Sequence, residues 1–312
     1  MVNVYANTKN QMKLIKVILF HIRKFTKKKK VAKNINKEQH NLKKYFLNGQ
    51  VPWTDGYQLH KENSIIEGIN SEDVLNLFRE NETLKNFGYR LDERIVEYPW
   101  VLSNFKNEKS KLLDAGSTFN FKFILEHPFI KDKELTIFTY APESLNYNEK
   151  RVSYVYGDLR ELPFKDKYFD IVVSQSTIEH IDMNNSIYGY DIDYNRKVEI
   201  KSYEFLYAIK EMLRVLKPAG TLLITFPFGK FENHDFFQQF DDEMLLKLLK
   251  EFYSDGETTT TFFKYLPDGW SSCTVAECKD VVSFNPHTNK GKGNDGAAHC
   301  RSVCCIKFIK KS

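Results

Sequence analysis

A chain of 312 residues, 42% hydrophobic and 14% aromatic, holds enough apolar material for one large packed domain plus an appendage, which excludes a disordered or fibrous protein. Five cysteines, an odd number, and no apolar run near the ~20 residues of a membrane span argue against a disulfide framework or a transmembrane helix. The net charge of +5 is uneven: residues 1–50 hold 13 Lys/Arg and one acid, Glu38, hence +12, while the other 33 basic and 40 acidic residues give −7, so the body is not marked as a nucleic-acid binder.

Within the basic extension, Leu14, Ile18 and Ile22 recur every four residues beside Ile15, Leu19 and Phe25, flanked by Lys13, Lys16, Arg23 and Lys24. Residues 11–30 therefore read as a basic amphipathic helix, suited to an anionic membrane surface, to docking on the body, or to a solvated tail. An RNA-binding arm has the charge but few interleaved aromatics. The apolar stretch 14–20 is short and no small-residue cleavage site follows, so no signal peptide is read and a cytoplasmic protein is expected, with peripheral membrane contact through 11–30.

Residues 51–109 read as a helical entry region, with Ser71-Glu72-Asp73 starting a helix over 74–78. Tyr89 to Trp100 mixes aromatic and charged residues; it either covers a ligand or forms a structural lid in which Arg94 and Glu97 pair.

From 110 onward strands and helices alternate. Lys111-Leu112-Leu113-Asp114-Ala115-Gly116 reads as a buried parallel strand delivering an acid and a glycine to a crevice, with Ser117 or Thr118 capping a helix over 119–127. Further strands are read at 135–140, 154–156, 169–173, 221–226, 258–265 and 302–309, and helices at 203–216 and 240–252. This order predicts an α/β, doubly wound, mostly parallel sheet of seven strands with helices on both faces and the last strand returning antiparallel at the edge.

LLDAGS, then GDLRELPF with FDIVVSQSTIEHI, then EMLRVLKPAGTLLITFPFG resemble the successive motifs of class I S-adenosylmethionine (SAM)-dependent methyltransferases, in the branch found among bacterial glycan and secondary-metabolite genes. The resemblance implies a Rossmann-like domain over 110–312, behind the extension 1–50 and the entry region 51–109. It also implies SAM as cofactor and transfer of a methyl group to an oxygen, or second a nitrogen, of a sugar-containing or small-metabolite acceptor. By the same resemblance, the turn Asp114-Ala115-Gly116-Ser117 with Asn120 holds the methionine end of SAM. Asp158 accepts from the adenine amino group, and Leu159 packs on the ring. The family's second strand usually ends in an acid for the ribose hydroxyls; here Glu143, beyond Pro142, either reaches back or is a solvated loop residue.

The fourth strand ends in Ser174-Gln175-Ser176-Thr177-Ile178-Glu179-His180. Ser174 is placed with the cofactor residues. His180 can take a proton from an acceptor hydroxyl at neutral pH, and Glu179 can orient the imidazole. Asp182 to Asn185, Tyr188 to Tyr190, residues 226–230, His234 and Asp235 are candidates for the acceptor side. All five cysteines fall after residue 270, spaced C-x4-C and C-x3-C-C without paired C-x2-C knuckles, so no metal site is expected. The alternatives to a small-molecule enzyme are a catalytically degenerate scaffold of the same fold and an RNA or protein methyltransferase. After the fourth strand STIE stands in place of the Asn/Asp-Pro-Pro-Tyr/Phe of many base-methylating enzymes.

Overall fold

The sheet is built outward from β1 (Lys111–Ala115), where Leu112, Leu113, Asp114 and Ala115 are completely buried, as in a strand covered on both faces. In the computed structural model, which describes residues 36–80, 82–188 and 200–312, β1 lies parallel between β2 (Glu134–Thr139) and β4 (Phe169–Gln175). β3 (Ser153–Tyr156) continues beyond β2 and β5 (Leu216–Pro227) beyond β4, all parallel. Apart from a small antiparallel pair, β6 (Glu232–Asn233) and β7 (Gln238–Gln239), the order is β3-β2-β1-β4-β5-β10-β8-β9, with β8 (Gly256–Leu266), β9 (Gly269–Cys273) and β10 (Ser302–Lys310) paired antiparallel to their neighbours. This is the Rossmann-like class I methyltransferase sheet that the sequence leads one to expect.

Two details differ. The sheet has eight strands, not seven, and β10 lies between β5 and β8 rather than at the edge, which β9 occupies. β9 reads Gly-Trp-Ser-Ser-Cys and lacks apolar alternation, yet it buries Trp270 and Ser271. The helix expected over 119–127 shrinks to the single turn α5 (Lys122–Leu125). Asp114 takes the backbone N–H groups of Thr118 and Phe119, and Phe121 is extended at φ −127°, so no helix can start before Lys122.

The remaining elements follow their sequence signals. Ser71 caps α3 (Glu72–Arg79) by accepting from the Val74 N–H. α6 (Phe205–Val215) lays Phe205, Ala208, Ile209, Met212 and Val215 on the sheet, an i, i+3, i+4 stripe. α7 (Asp242–Lys250), capped by Asp241, buries Met244, Leu245 and Leu248 in the same core as Phe138, Val172, Ile224 and Phe308. α4 (Arg94–Ser103) is buried from Ile95 to Ser103 despite Pro99 in its middle.

The chain divides into two compact units, Met1–His60 and Lys61–Ser312. In the first, helix α1 (36–47) ends where the Tyr45 hydroxyl donates to the Gln50 carbonyl (3.2 Å); α2, Tyr57–Asn70, begins at the end of that unit and runs on into the second. The amphipathic segment 11–30, and Gly189 and Tyr190, lie outside the described residues. Among the described residues no helix is long and apolar enough to cross a membrane.

Candidate active site

The site lies at the carboxyl ends of β1 to β4. At the end of β1 the Asp114 carboxylate turns inward and accepts from Thr118 N (3.2 Å), Thr118 Oγ1 (3.1 Å) and Phe119 N (2.7 Å). Burial pushes Asp114 up to about 7 against those donors. The loop is tied to α4 as well, since the Tyr98 hydroxyl donates to the Thr118 carbonyl at 2.6 Å. Gly116 has φ +136°, and a Cβ there would fall 2.0 Å from Thr177 Oγ1. Ser117 follows at φ +63°, a left-handed conformation that costs a non-glycine residue about 1 kcal/mol or more.

β2 delivers Thr139 and, past Pro142, Glu143. Glu143 does turn back: Asn120 Nδ2 donates to its Oε2 (2.8 Å) and Thr139 Oγ1 lies 3.4 Å from its Oε1. Asn120 is fixed in turn by the Tyr154 hydroxyl, which donates to its Oδ1 (2.9 Å). From the end of β3, Asp158 accepts from the Arg160 backbone N–H (2.9 Å) and from its guanidinium (2.6 Å). Burial opposes the Asp158 charge, but Arg160 outweighs it and holds the carboxyl below its ordinary range. Arg160 also reaches Glu204 (2.9 Å), so the acid sits in a braced position at the pocket wall.

β4 ends at Gln175, and the chain then turns through Ser176 at φ +39°. His180 Nδ1 lies 2.7 Å from the Phe236 carbonyl. A carbonyl can only accept, so Nδ1 carries the proton and Nε2 is the basic nitrogen. Burial lowers His180 to about 4, and the ring stacks on Phe236 at 5.8 Å. Glu179 is buried, with Oε1 3.8 Å from His180 Nε2, and burial raises its carboxyl well above the ordinary range.

These strand ends enclose one cavity of about 370 Å³, within the ~300–1,000 Å³ of small-molecule sites. Of the residues singled out in the sequence, Gly116, Glu143, Asp158, Leu159, His180, Asp182, Met183 and Asn185 line it. Asp114 and Asn120 stand behind the wall as supports. Ala115 and Ser117 are buried in the turn, and Glu179 lies behind His180. Ser174 points elsewhere: it is fully buried within β4, and Ser176 and Thr177 line the cavity in its place. Phe226 and Phe228 are wholly buried core residues, not a pocket edge. His234 is buried against Phe237 (4.4 Å, 2° between planes), with Nε2 3.2 Å from Glu232.

Sequence reading left the stretch holding Arg94 between covering a ligand and forming a lid in which Arg94 and Glu97 pair, and the structure places Arg94 on the cavity wall. It does pair with Glu97 (2.7 Å), but Glu97 also accepts from the hydroxyls of Ser176 (2.5 Å) and Thr225 (2.6 Å). One buried carboxylate thus ties α4 to the turn after β4 and to β5. The signal available was two charged residues inside an otherwise apolar helix.

The matched segment agrees with this geometry. Residues 132–224 match the profile of the Methyltransferase domain family, Methyltransf_11. A search of curated proteins gave no match. Among solved structures, a SAM-dependent methyltransferase from Methanosarcina mazei is 15% identical, covering 68% of this chain and 98% of its own, with a TM-score of 0.40. The 1,6-didemethyltoxoflavin-N1-methyltransferase of Burkholderia thailandensis, bound to its substrate and S-adenosylhomocysteine, is 14% identical, covering 66% and 72%, with a TM-score of 0.36. Residues 132–224 are thus similar to a methyltransferase domain and lie on a sheet of the Rossmann-like class I type; the methyl donor that such a domain implies is SAM.

The residues present fit that donor. Gly116 leaves room that a side chain would fill, and two carboxylates, Glu143 and Asp158, line the cavity on the β2 and β3 side, as a ligand rich in hydroxyl and amino donors requires.

Proposed function

We propose that the cavity at the ends of β1 to β4 holds SAM, and that the enzyme methylates an oxygen of a small or sugar-containing acceptor, with nitrogen as the second choice. The observation that carries this reading is the convergence of Gly116, Glu143, Asp158 and His180, from four successive strand ends, on one cavity. The bound cofactor supplies an electrophilic methyl group on a sulfonium. Gly116 admits its methionine end, Glu143 offers two oxygens to the ribose hydroxyls, and Asp158 accepts from the adenine amino group while Leu159 packs on the ring. Asp114 and Asn120 hold the loop and Glu143 in place, with Ala115 and Ser117 forming the turn between them.

The state of His180 supports oxygen as the acceptor atom. Its neutral imidazole holds an acceptor hydroxyl through Nε2 and receives its proton as the new bond forms. A base lowered to about 4 is weak towards a free alcohol. It is strong enough for an oxygen that is becoming an oxonium, so the proton moves late. Glu179, whose carboxyl burial raises well above its ordinary range, stands beside the ring with Oε1 3.8 Å from Nε2.

Calorimetric titration with SAM and with S-adenosylhomocysteine tests the cofactor half. Both should bind, and Asp158→Ala should weaken both by tenfold or more, about 1.4 kcal/mol; no binding of either at millimolar ligand would overturn the reading. For the acceptor half, His180→Ala should lower kcat by about 10²–10⁴ and leave the affinity for S-adenosylhomocysteine unchanged. With His180 titrating at about 4, kcat/KM should show no His180 limb from about pH 6 to 8 and should fall only as pH drops through about 4. A limb near 6.5 would remove His180 in the form described here. An acceptor screen that returned only amines would move the reaction to nitrogen.

A further inference from the structure

Behind the wall formed by Arg94, three residues distant in sequence bring metal-type donors together. Glu93, just before α4, and His299 and Cys300, just before β10, each place one ligand atom within 4.8 Å of the other two. His299 Nδ1 lies 3.1 Å from Glu93 Oε1. Two ligands sharing a four-coordinate zinc with bonds of about 2.0–2.1 Å are about 3.4 Å apart, so the pair is already at bridging distance. The second carboxylate oxygen, Glu93 Oε2, is buried and has no hydrogen-bond partner among the described residues. The Glu93 residue is only 5% exposed and Cys300 1%. A buried carboxylate oxygen left without a donor is costly, and a cation shared with the neighbouring imidazole and thiol removes that cost.

We infer that Glu93, His299 and Cys300 form a binding site for a divalent transition-metal ion, zinc foremost, beside the acceptor end of the active-site cavity. Thiolate, imidazole and carboxylate together suit a borderline-soft ion such as Zn²⁺ rather than Mg²⁺ or Ca²⁺. Binding forms bonds from the metal to Glu93 oxygen, His299 nitrogen and Cys300 sulfur; the thiol proton and the ring proton now shared with Glu93 leave to solvent. Arg94, the next residue, pairs with Glu97 at 2.7 Å and also feels the Glu93 charge, so a bound ion shares that carboxylate with a guanidinium whose closest partner is Glu97. Three protein ligands leave the fourth position to water or to an acceptor atom. The His299 and His180 rings both pack near Phe237, at 5.2 and 6.2 Å, which puts the ion one aromatic side chain from the proposed base.

The proposal is separable from SAM binding. The full chain, without a histidine tag and stripped with a chelator, is titrated with Zn²⁺ alone against a chromogenic chelator, and bound zinc is counted by mass spectrometry. One equivalent is expected, and Co²⁺ in its place should give a sulfur-to-cobalt charge-transfer band. Cys300→Ser and Glu93→Gln should each weaken Zn²⁺ by tenfold or more and Cys300→Ser should abolish the band, while Cys273→Ser should change neither. Circular dichroism of each variant guards against misfolding, and the cobalt band of the unaltered chain stands without any variant. No zinc retained at micromolar free metal overturns the site. So does one equivalent that survives Cys300→Ser but is lost in Cys273→Ser, which would place the ion at the Cys273–Cys278 pair, whose sulfurs are 3.3 Å apart.

Discussion

Gly116→Ala should lower the affinity for SAM and for S-adenosylhomocysteine by at least about thirtyfold, the effect of ~2 kcal/mol. Two independent costs meet at this residue. Its φ of +136° belongs to a region that residues with a Cβ avoid, at about 1–3 kcal/mol. The new methyl would also lie 2.0 Å from Thr177 Oγ1, 2.6 Å from its Cγ2 and 2.7 Å from its Cβ. Thr177 cannot simply swing away, because its hydroxyl donates to the Gln175 carbonyl (3.0 Å). Nor can Gly116 move back, since its N–H donates to the Phe138 carbonyl (2.9 Å). The clash therefore spreads into the two walls of the cavity that β1 and β4 supply. Adding Thr177→Gly to Gly116→Ala removes the steric part and leaves the backbone part, so the double variant should recover some of the affinity but not all of it. Unchanged affinity in Gly116→Ala would mean that the cofactor does not approach this turn, and the placement of SAM would have to be abandoned.

What could be read in the sequence was what local pattern dictates. β1, β3 and β4 run into an acid, a glycine or a serine at the carboxyl end, as a ligand crevice requires, whereas β2 ends at Thr139 with its nearest acid at Glu143. β9 was not legible: a polar strand buries Trp270 and Ser271 through contacts to β8 and to the segment before α4, where Phe87 N donates to the Trp270 carbonyl at 2.9 Å. The helix over 119–127 is shorter than apolar spacing suggests because Phe121 is extended, at φ −127° and ψ 137°, so the helical turn begins only at Lys122. Ser174 was misplaced for a related reason. Apolar pattern does not show where the strand stops: β4 runs on to Gln175, so Ser174 stays inside the buried strand, and Ser176, in the turn beyond it, lines the cavity.

Pairings across long separations were the least legible. Glu93 and His299 stand 206 residues apart, and Cys-to-Cys spacing carries no information about an acid that distant. Glu143 is the opposite case. The sequence left it between a ribose ligand and a loop residue, and the bonds from Asn120 and Thr139 decide that the carboxylate turns back towards β2.

Glu97→Ala should be the most destabilising single change in the domain, at about 3–5 kcal/mol, lowering Tm by roughly 6–20 °C for a unit of this size. Glu97 is completely buried, and the change leaves the Arg94 guanidinium without its closest counter-charge and the hydroxyls of Ser176 and Thr225 without their acceptor. Unpaired buried charge is the expensive part, since replacing a whole buried ion pair by apolar groups is often neutral. Arg94→Met with Glu97→Leu should therefore be more stable than Glu97→Ala alone, though it removes one more native side chain. A Tm for Glu97→Ala within about 2 °C of the unaltered protein would show that water reaches this network and that the ion pair is weak. The same pair of variants separates stability from function. Arg94 and Ser176 both line the cavity, so the apolar double variant should regain Tm yet still bind S-adenosylhomocysteine more weakly. If it regained both, the buried carboxylate would be holding up the fold alone, and the turn after β4 would keep its left-handed Ser176 without it.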